Sequence, residues 1–174
     1  MCFRFGGYTQ NKGINLSADT EGRTVDHIDR KILRALQEDG RITNARLAET
    51  CGLSNAACFE RVRRLRESGV ITGYTALLDP AKLDRALMIF IEVLLDRTTD
   101  DAFAAFAAHV RKLPDVIECH MVAGGFDYLL KVRVADMAAY RAFLGDTLVA
   151  LPGIRETRTY AVLEEVKLTS QLPV

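Results

Sequence analysis

Residues 87–166 run through one pattern twice. An apolar strand-like stretch, Leu87–Asp96, is followed by a helical pattern over Asp100–Lys112, then Leu113-Pro114-Asp115-Val116 and the strand-like run IECHMV. After Gly124-Gly125 the order returns as DYLLKVRVAD, MAAYRAFLGDTLVA, Leu151-Pro152-Gly153-Ile154 and TRTYAVLEEV, and the two Leu-Pro elements lie 38 residues apart. On the first helix Phe103, Phe106, Ala107, Val110 and Leu113 share one face at helical spacing. A duplicated strand–helix–strand unit predicts βαββαβ, the ferredoxin-like plan, which few other chain patterns specify so narrowly.

The residues before the repeat follow a different rule. VDHIDRKILRALQEDG places Ile28, Ile32, Leu33 and Leu36 at helical spacing and stops at Gly40. A short second helix begins at Thr43 or Asn44, either of which can cap it, and buries Leu47 and Ala48. Cys51-Gly52-Leu53 forms a sharp turn, and Ser54 caps a third helix that ends at Gly69. Three helices, the last two joined by a three-residue turn with glycine, fit a helix-turn-helix. On a helical wheel Cys58, Val62 and Leu65 form the inward stripe, while Ala56, Glu60 and Arg63 point outward. The outward N-terminal end is small and polar, so it can enter a DNA major groove ~12 Å wide. Arg61, Arg63, Arg64 and Arg66 follow it; a basic run can be a solvated face, and the turn before it favours phosphate contact.

This division is the reason the net charge misleads. Lys+Arg and Asp+Glu both number 23, so the formal net charge is zero, unlike many DNA-binding proteins. Residues 26–74, however, carry nine basic against seven acidic side chains, and residues 75–174 carry eleven against fourteen. The expected domains are a flexible extension over 1–25, a helix-turn-helix over 26–70, a hinge strand and linker over 71–83, and a ferredoxin-like domain over 84–174. The overall fold class is α+β, with the first domain a winged-helix-like three-helix unit.

Other chemistries find little support. The first 25 residues lack the apolar core of a signal peptide, and no ~18-residue apolar run is present to span a membrane. Cys2, Cys51, Cys58 and Cys119 form no CxxC pair, which speaks against a zinc site and for reduced thiols filling core space. His27, His109 and His120 are scattered; Cys119 and His120, adjacent on a strand, point to opposite faces and make no nucleophile–base pair. GGFD leads from one strand into another and not into a helix, so it is no phosphate loop. We therefore expect no enzyme, metal or cofactor. The glycine-rich segment VAGGFDY can instead turn its amides toward a carboxylate, and Asp127 beside it suits an ammonium, so together they suit a free amino acid. Plain turn chemistry is the other reading of Gly-Gly.

Taken in order, IDRKILRALQEDGRITNARLAETCGLSNAACFERVRRLRESGVITGYTALLDP and IECHMVAGGFDYLLKVRVADMAAYRAFLGDTLVALPGIRETRTYAVLEEVK resemble the Lrp/AsnC, or feast/famine, family of transcriptional regulators from Val25 to Lys167. The resemblance implies a cytoplasmic, nucleoid-associated regulator of amino-acid metabolism or transport genes, activating or repressing. It implies double-stranded DNA as partner, a homodimer assembling into a higher oligomer such as an octamer, and a free amino acid as effector. It places DNA contacts at Thr43, Asn44, Ser54, Asn55, Ala56, Ala57, Glu60, Arg61, Arg63 and Arg64, on and before a recognition helix Ser54–Ser68. It places effector contacts at Met121, Gly124, Gly125, Phe126, Asp127, Tyr128, Met137, Tyr160, Ala161 and Val162. Two departures stand out: Ser54-Asn55-Ala56-Ala57 replaces the family's Ser-Pro-Thr-Pro opening, and Gly125 stands where Asp is common. A dedicated activator of one catabolic operon, for proline or branched-chain amino acids, is the alternative to a global role, and an amino-acid sensor without DNA binding is a further one.

Overall fold

Asp26 starts the first helix by a reciprocal cap: its carboxylate accepts the Asp29 N–H at 2.7 Å, and Asp29 accepts the Asp26 N–H at 3.3 Å. The computed structural model describes residues 25–174 except Pro152, so the expectation for the N-terminal extension lies outside the described residues, bar its last, Val25. α1 spans His27–Glu38, α2 Asn44–Cys51 and α3 Asn55–Glu67. Thr43 caps α2 and Ser54 caps α3 through their hydroxyls. Gly52 ends α2 in the left-handed region (φ 69°), where a side chain would be strained, and this makes the turn sharp. Ile32, Leu47, Ala48, Cys51, Cys58 and Leu65 form the buried cluster among the three helices, as the wheel requires.

The same unit takes in Leu168–Val174, a difference from the expected boundary at the C-terminal side. The cause is Gln37. Its amide oxygen accepts the Leu172 N–H at 2.6 Å and its amide nitrogen donates to the Leu172 carbonyl at 3.0 Å. Gln171 donates to the Gln37 carbonyl, and Arg34 donates to the Val174 carbonyl at 2.8 Å. A side-chain amide both donates, through its NH2 group, and accepts, through its oxygen, so it can pair with both the N–H and the carbonyl of one backbone residue, as a neighbouring strand does.

The second unit begins after the linker. Residues 70–83 contain no strand, contrary to the reading of 71–83 as a hinge strand; an extended segment without a partner forms no ladder, and only Pro80–Leu83 winds into a 3₁₀ turn. β1 (Leu87–Leu95), α4 (Asp100–Val110), β2 (Val116–Met121), β3 (Tyr128–Val134), α5 (Met137–Ala142) and β4 (Ile154–Ala161) then follow in the order the repeat predicts. The sheet order is β2-β3-β1-β4, all neighbours antiparallel, which is the ferredoxin-like arrangement. Alternate residues Ile89, Ile91, Val93 and Leu95 of β1 and Tyr128, Leu130, Val132 and Val134 of β3 face the helices and are buried with Phe106, Val110, Tyr140, Phe143 and Leu148. The expected helix over 137–150 widens after Ala142 into a π-helical turn, Phe143–Leu148, closed by the Val149 N–H on the Leu144 carbonyl. Wider winding lets Phe143 and Leu148, five apart, both reach the core. At the end of the sheet where β1 begins, Arg133 is buried; it donates twice to Glu165, at 2.7 and 2.8 Å, and once to the Arg85 carbonyl.

Candidate nucleic-acid interface and ligand site

The turn before α3 leaves Ser54, Asn55, Ala56, Ala57, Glu60 and Arg63 exposed on one surface of the helix-turn-helix. Their local order comes from α2. The Asn44 side chain donates to the Asn55 carbonyl at 2.9 Å, so it fixes the start of α3 and its amide is already engaged. Thr43 and Ser54 are likewise occupied as caps, although a capping hydroxyl keeps acceptor capacity for a further donor. Arg63 pairs along the exposed face with Glu60 at 2.5 Å and with Glu67 at 3.9 Å. Such surface pairs contribute little, so Arg63 can exchange its carboxylates for phosphates at small cost.

Arg61 and Arg64 are placed differently from Arg63. Arg61 reaches Asp26 at 2.7 Å and Asp29 at 2.8 Å, and Arg64 reaches Asp29 at 2.6 Å. Asp29 is only 1% exposed. The Asp29 backbone N–H, then the Arg61 guanidinium, hold the Asp26 carboxyl down at about 2, while the hydrogen bonds that Arg61 donates to Asp26 and Asp29 raise Arg61. These acidic partners were not among the expected site residues. The Asp-x-x-Asp spacing at the head of α1 was the available signal, since it marks a reciprocal cap on its own. Cys51 and Cys58 lie buried in the same unit, and burial pushes both thiols up, as suits core fillers.

In the sheet unit the expected ligand residues fall into two groups. Met121, Gly124, Gly125 and Phe126 surround the β2–β3 turn, at the end of the sheet where β1 finishes. Asp127 is tied into that end: its carboxylate accepts the Leu95 N–H at 2.8 Å and its own N–H donates to the Val93 carbonyl. Tyr128 turns inward, 3% exposed, with its ring against Phe103 and Phe106 and its hydroxyl donating to the Phe103 carbonyl. Met137, Tyr160, Ala161 and Val162 lie at the opposite end, where β1 begins; the Val162 N–H donates to the Met88 carbonyl. Tyr160 is exposed and donates to Glu92 at 3.1 Å, and that bond raises its phenol. Tyr128 pairs with Val93 and Ala161 with Ile89, so about 13 Å of strand, at ~3.3 Å per residue, separates the two groups. One sheet unit does not bring the two groups together. Burial pushes the Cys119 thiol up to about 11. Among the described residues, no cluster of three or more His, Cys, Asp or Glu is placed to hold a metal ion, and no helix is long and apolar enough to cross a membrane.

A helix-turn-helix followed by a ferredoxin-like unit defines a DNA-binding transcription regulator with a ligand-binding domain. Residues 25–72 match the winged helix-turn-helix DNA-binding family, and residues 88–172 match the Lrp/AsnC ligand binding domain. The chain belongs to the Lrp/AsnC family, whose members are regulators and not enzymes. It is 54% identical over 153 residues to the leucine-responsive regulatory protein of Salmonella typhimurium, covering 88% of this chain and 93% of that one. A transcriptional regulator from Neisseria meningitidis, solved as its L-Met complex, superposes with a TM-score of 0.82 at 41% identity, covering 86% of this chain and 97% of that one. A feast or famine regulatory protein from M. tuberculosis complexed with L-methionine gives 0.75 at 34% identity, covering 86% and 99%.

Proposed function

We propose that this regulator binds double-stranded DNA sequence-specifically and that a free amino acid controls its assembly or its DNA affinity. Its targets are genes of amino-acid metabolism or transport, and it works at the nucleoid in the cytoplasm. The observation that supports the reading is the separation of the two ligand-lining groups by about 13 Å along β1, at ~3.3 Å per residue. A pocket drawing on both groups needs a second copy of the chain, so its occupancy and the state of assembly are thermodynamically linked. A homodimer assembling into a larger ring, such as an octamer, supplies that arrangement, and it multiplies heads whose individual affinity is small. L-methionine in two relatives supports an amino acid as the effector class. Ser54, Asn55, Ala56, Ala57, Glu60 and Arg63 form the face offered to the groove. Asn55 has the donor and acceptor to read adenine, and Glu60 can accept from cytosine.

A thermal-shift screen of the twenty amino acids tests the effector. A true effector at 100-fold excess over its dissociation constant stabilises by ~2.7 kcal/mol. Asp127→Ala is expected to abolish that shift, and retention of the full shift would show that Asp127 does not hold the ammonium.

A further inference from the structure

The four arginines of α3 divide by the direction of their helix faces. Arg63 and Arg66 are exposed. Arg61 and Arg64, three residues apart, lie on the flank toward α1 and meet there on Asp29. One Asp29 oxygen takes Arg61 and the other takes Arg64 along with the Asp26 N–H, so both oxygens of this buried carboxylate are engaged. We propose that Asp29 is a positioning residue for DNA recognition: it fixes the rotation of α3 by holding Arg61 and Arg64, and phosphate neutralisation falls to Arg63 and Arg66. This rests on the DNA-binding reading above.

The inward stripe of α3 is narrow and includes the small Cys58, so apolar packing alone restrains roll about the helix axis weakly. Two guanidinium groups a turn apart, tied to one carboxylate on another helix, resist roll in both directions. Arginine is suited to the task because its planar fork fixes direction as well as distance, which a lysine ammonium does not. Asp26, half-buried beside the pair, gives Arg61 a second anchor and joins the N-cap of α1 to the same clasp. The basic stretch thereby does two jobs from alternate faces. One face holds the helix, and the other meets the backbone of the nucleic acid.

The test is the salt dependence of binding by the full chain to a duplex fragment from upstream of its own gene. The logarithm of the binding constant falls linearly with the logarithm of salt, with a slope of about −0.9 for each phosphate contact. Arg63→Gln is expected to reduce the slope by about 0.9 per bound head. Arg64→Gln is expected to weaken binding while leaving the slope unchanged. Arg64→Lys, which keeps the charge but loses the fork, is expected to weaken binding nearly as much; a phosphate contact would tolerate it. Asp29→Asn removes a negative charge, which by electrostatics alone would tighten binding to DNA; the clasp predicts weaker binding instead. Circular dichroism establishes that each variant is folded, and the two Arg64 variants decide the matter if Asp29→Asn is not. Equal slope losses for Arg63→Gln and Arg64→Gln, with wild type binding normally, would overturn the clasp alone. Wild type that shows no binding even at low salt would overturn the DNA reading and the clasp with it.

Discussion

Among the described residues, the helix-turn-helix unit buries six apolar side chains in its core and one anion, Asp29, beside Arg61 and Arg64, whereas the sheet unit buries thirteen in its core and keeps its buried charge, the cation Arg133, at one end. With fewer apolar groups to restrain it, α3 in the smaller unit is held against α1 by charge as well. In the larger unit the helices are held on the sheet by apolar side chains from two strands and two helices. The lesson is that similar local order can have unlike sensitivities: one unit responds to lost volume, the other to lost charge.

The strongest test of that contrast is Phe106→Ala, which empties space between α4 and Tyr128 in the sheet unit. A loss of about 3–5 kcal/mol is expected there. Hydrogen exchange on the full chain should show the helix-turn-helix amides unaffected, and an equal loss of protection in both units would break the comparison. Next comes the double change Arg61→Ala with Arg64→Ala, which leaves the Asp29 carboxylate with the Asp26 N–H in place of two guanidinium groups. About 3 kcal/mol of destabilisation is expected, the lower end for an uncompensated buried charge, and urea titration would measure it. If the change is neutral, charge does not hold this unit.

The gentlest test is acid. The Asp26 carboxyl is lowered from 3.8 to about 2 in the folded chain, so the unfolded chain binds its proton first as pH falls. Its stabilising contribution is therefore present above about pH 4 and is lost between about 4 and 2. The helix-turn-helix melting temperature should decline across that window, and Asp26→Asn should flatten the decline. A decline of the same size in the variant would assign the effect to other carboxylates.

The order of elements was legible because the repeat is carried by strand alternation and helical spacing, which depend on neighbours in sequence. The same alternation places Tyr128 with Leu130, Val132 and Val134 on the inner face, so its burial was readable although its expected role was ligand contact. The absent hinge strand was not readable, since pairing depends on a partner and not on the run itself. The π-helical turn was hidden because Phe143 and Leu148 both read as apolar in any helix. The clasp was half legible: the arginines stood out, and their partners lay about thirty residues upstream. Asp127 illustrates the same limit, since its Leu95 partner is 32 residues away in sequence and only the β1–β3 register brings them together.

The Gln37–Leu172 pairing has a practical consequence for anyone building chimeras. The helix-turn-helix unit is discontinuous in sequence, with the sheet unit inserted between residue 77 and residue 168. Exchanging heads between relatives at the linker alone would leave a donor helix facing a recipient tail, and a glutamine mismatched to it would lose both bonds. A faithful graft carries two segments, residues 25–77 and 168–174, because the partners of Arg34 and Gln37 lie in the second.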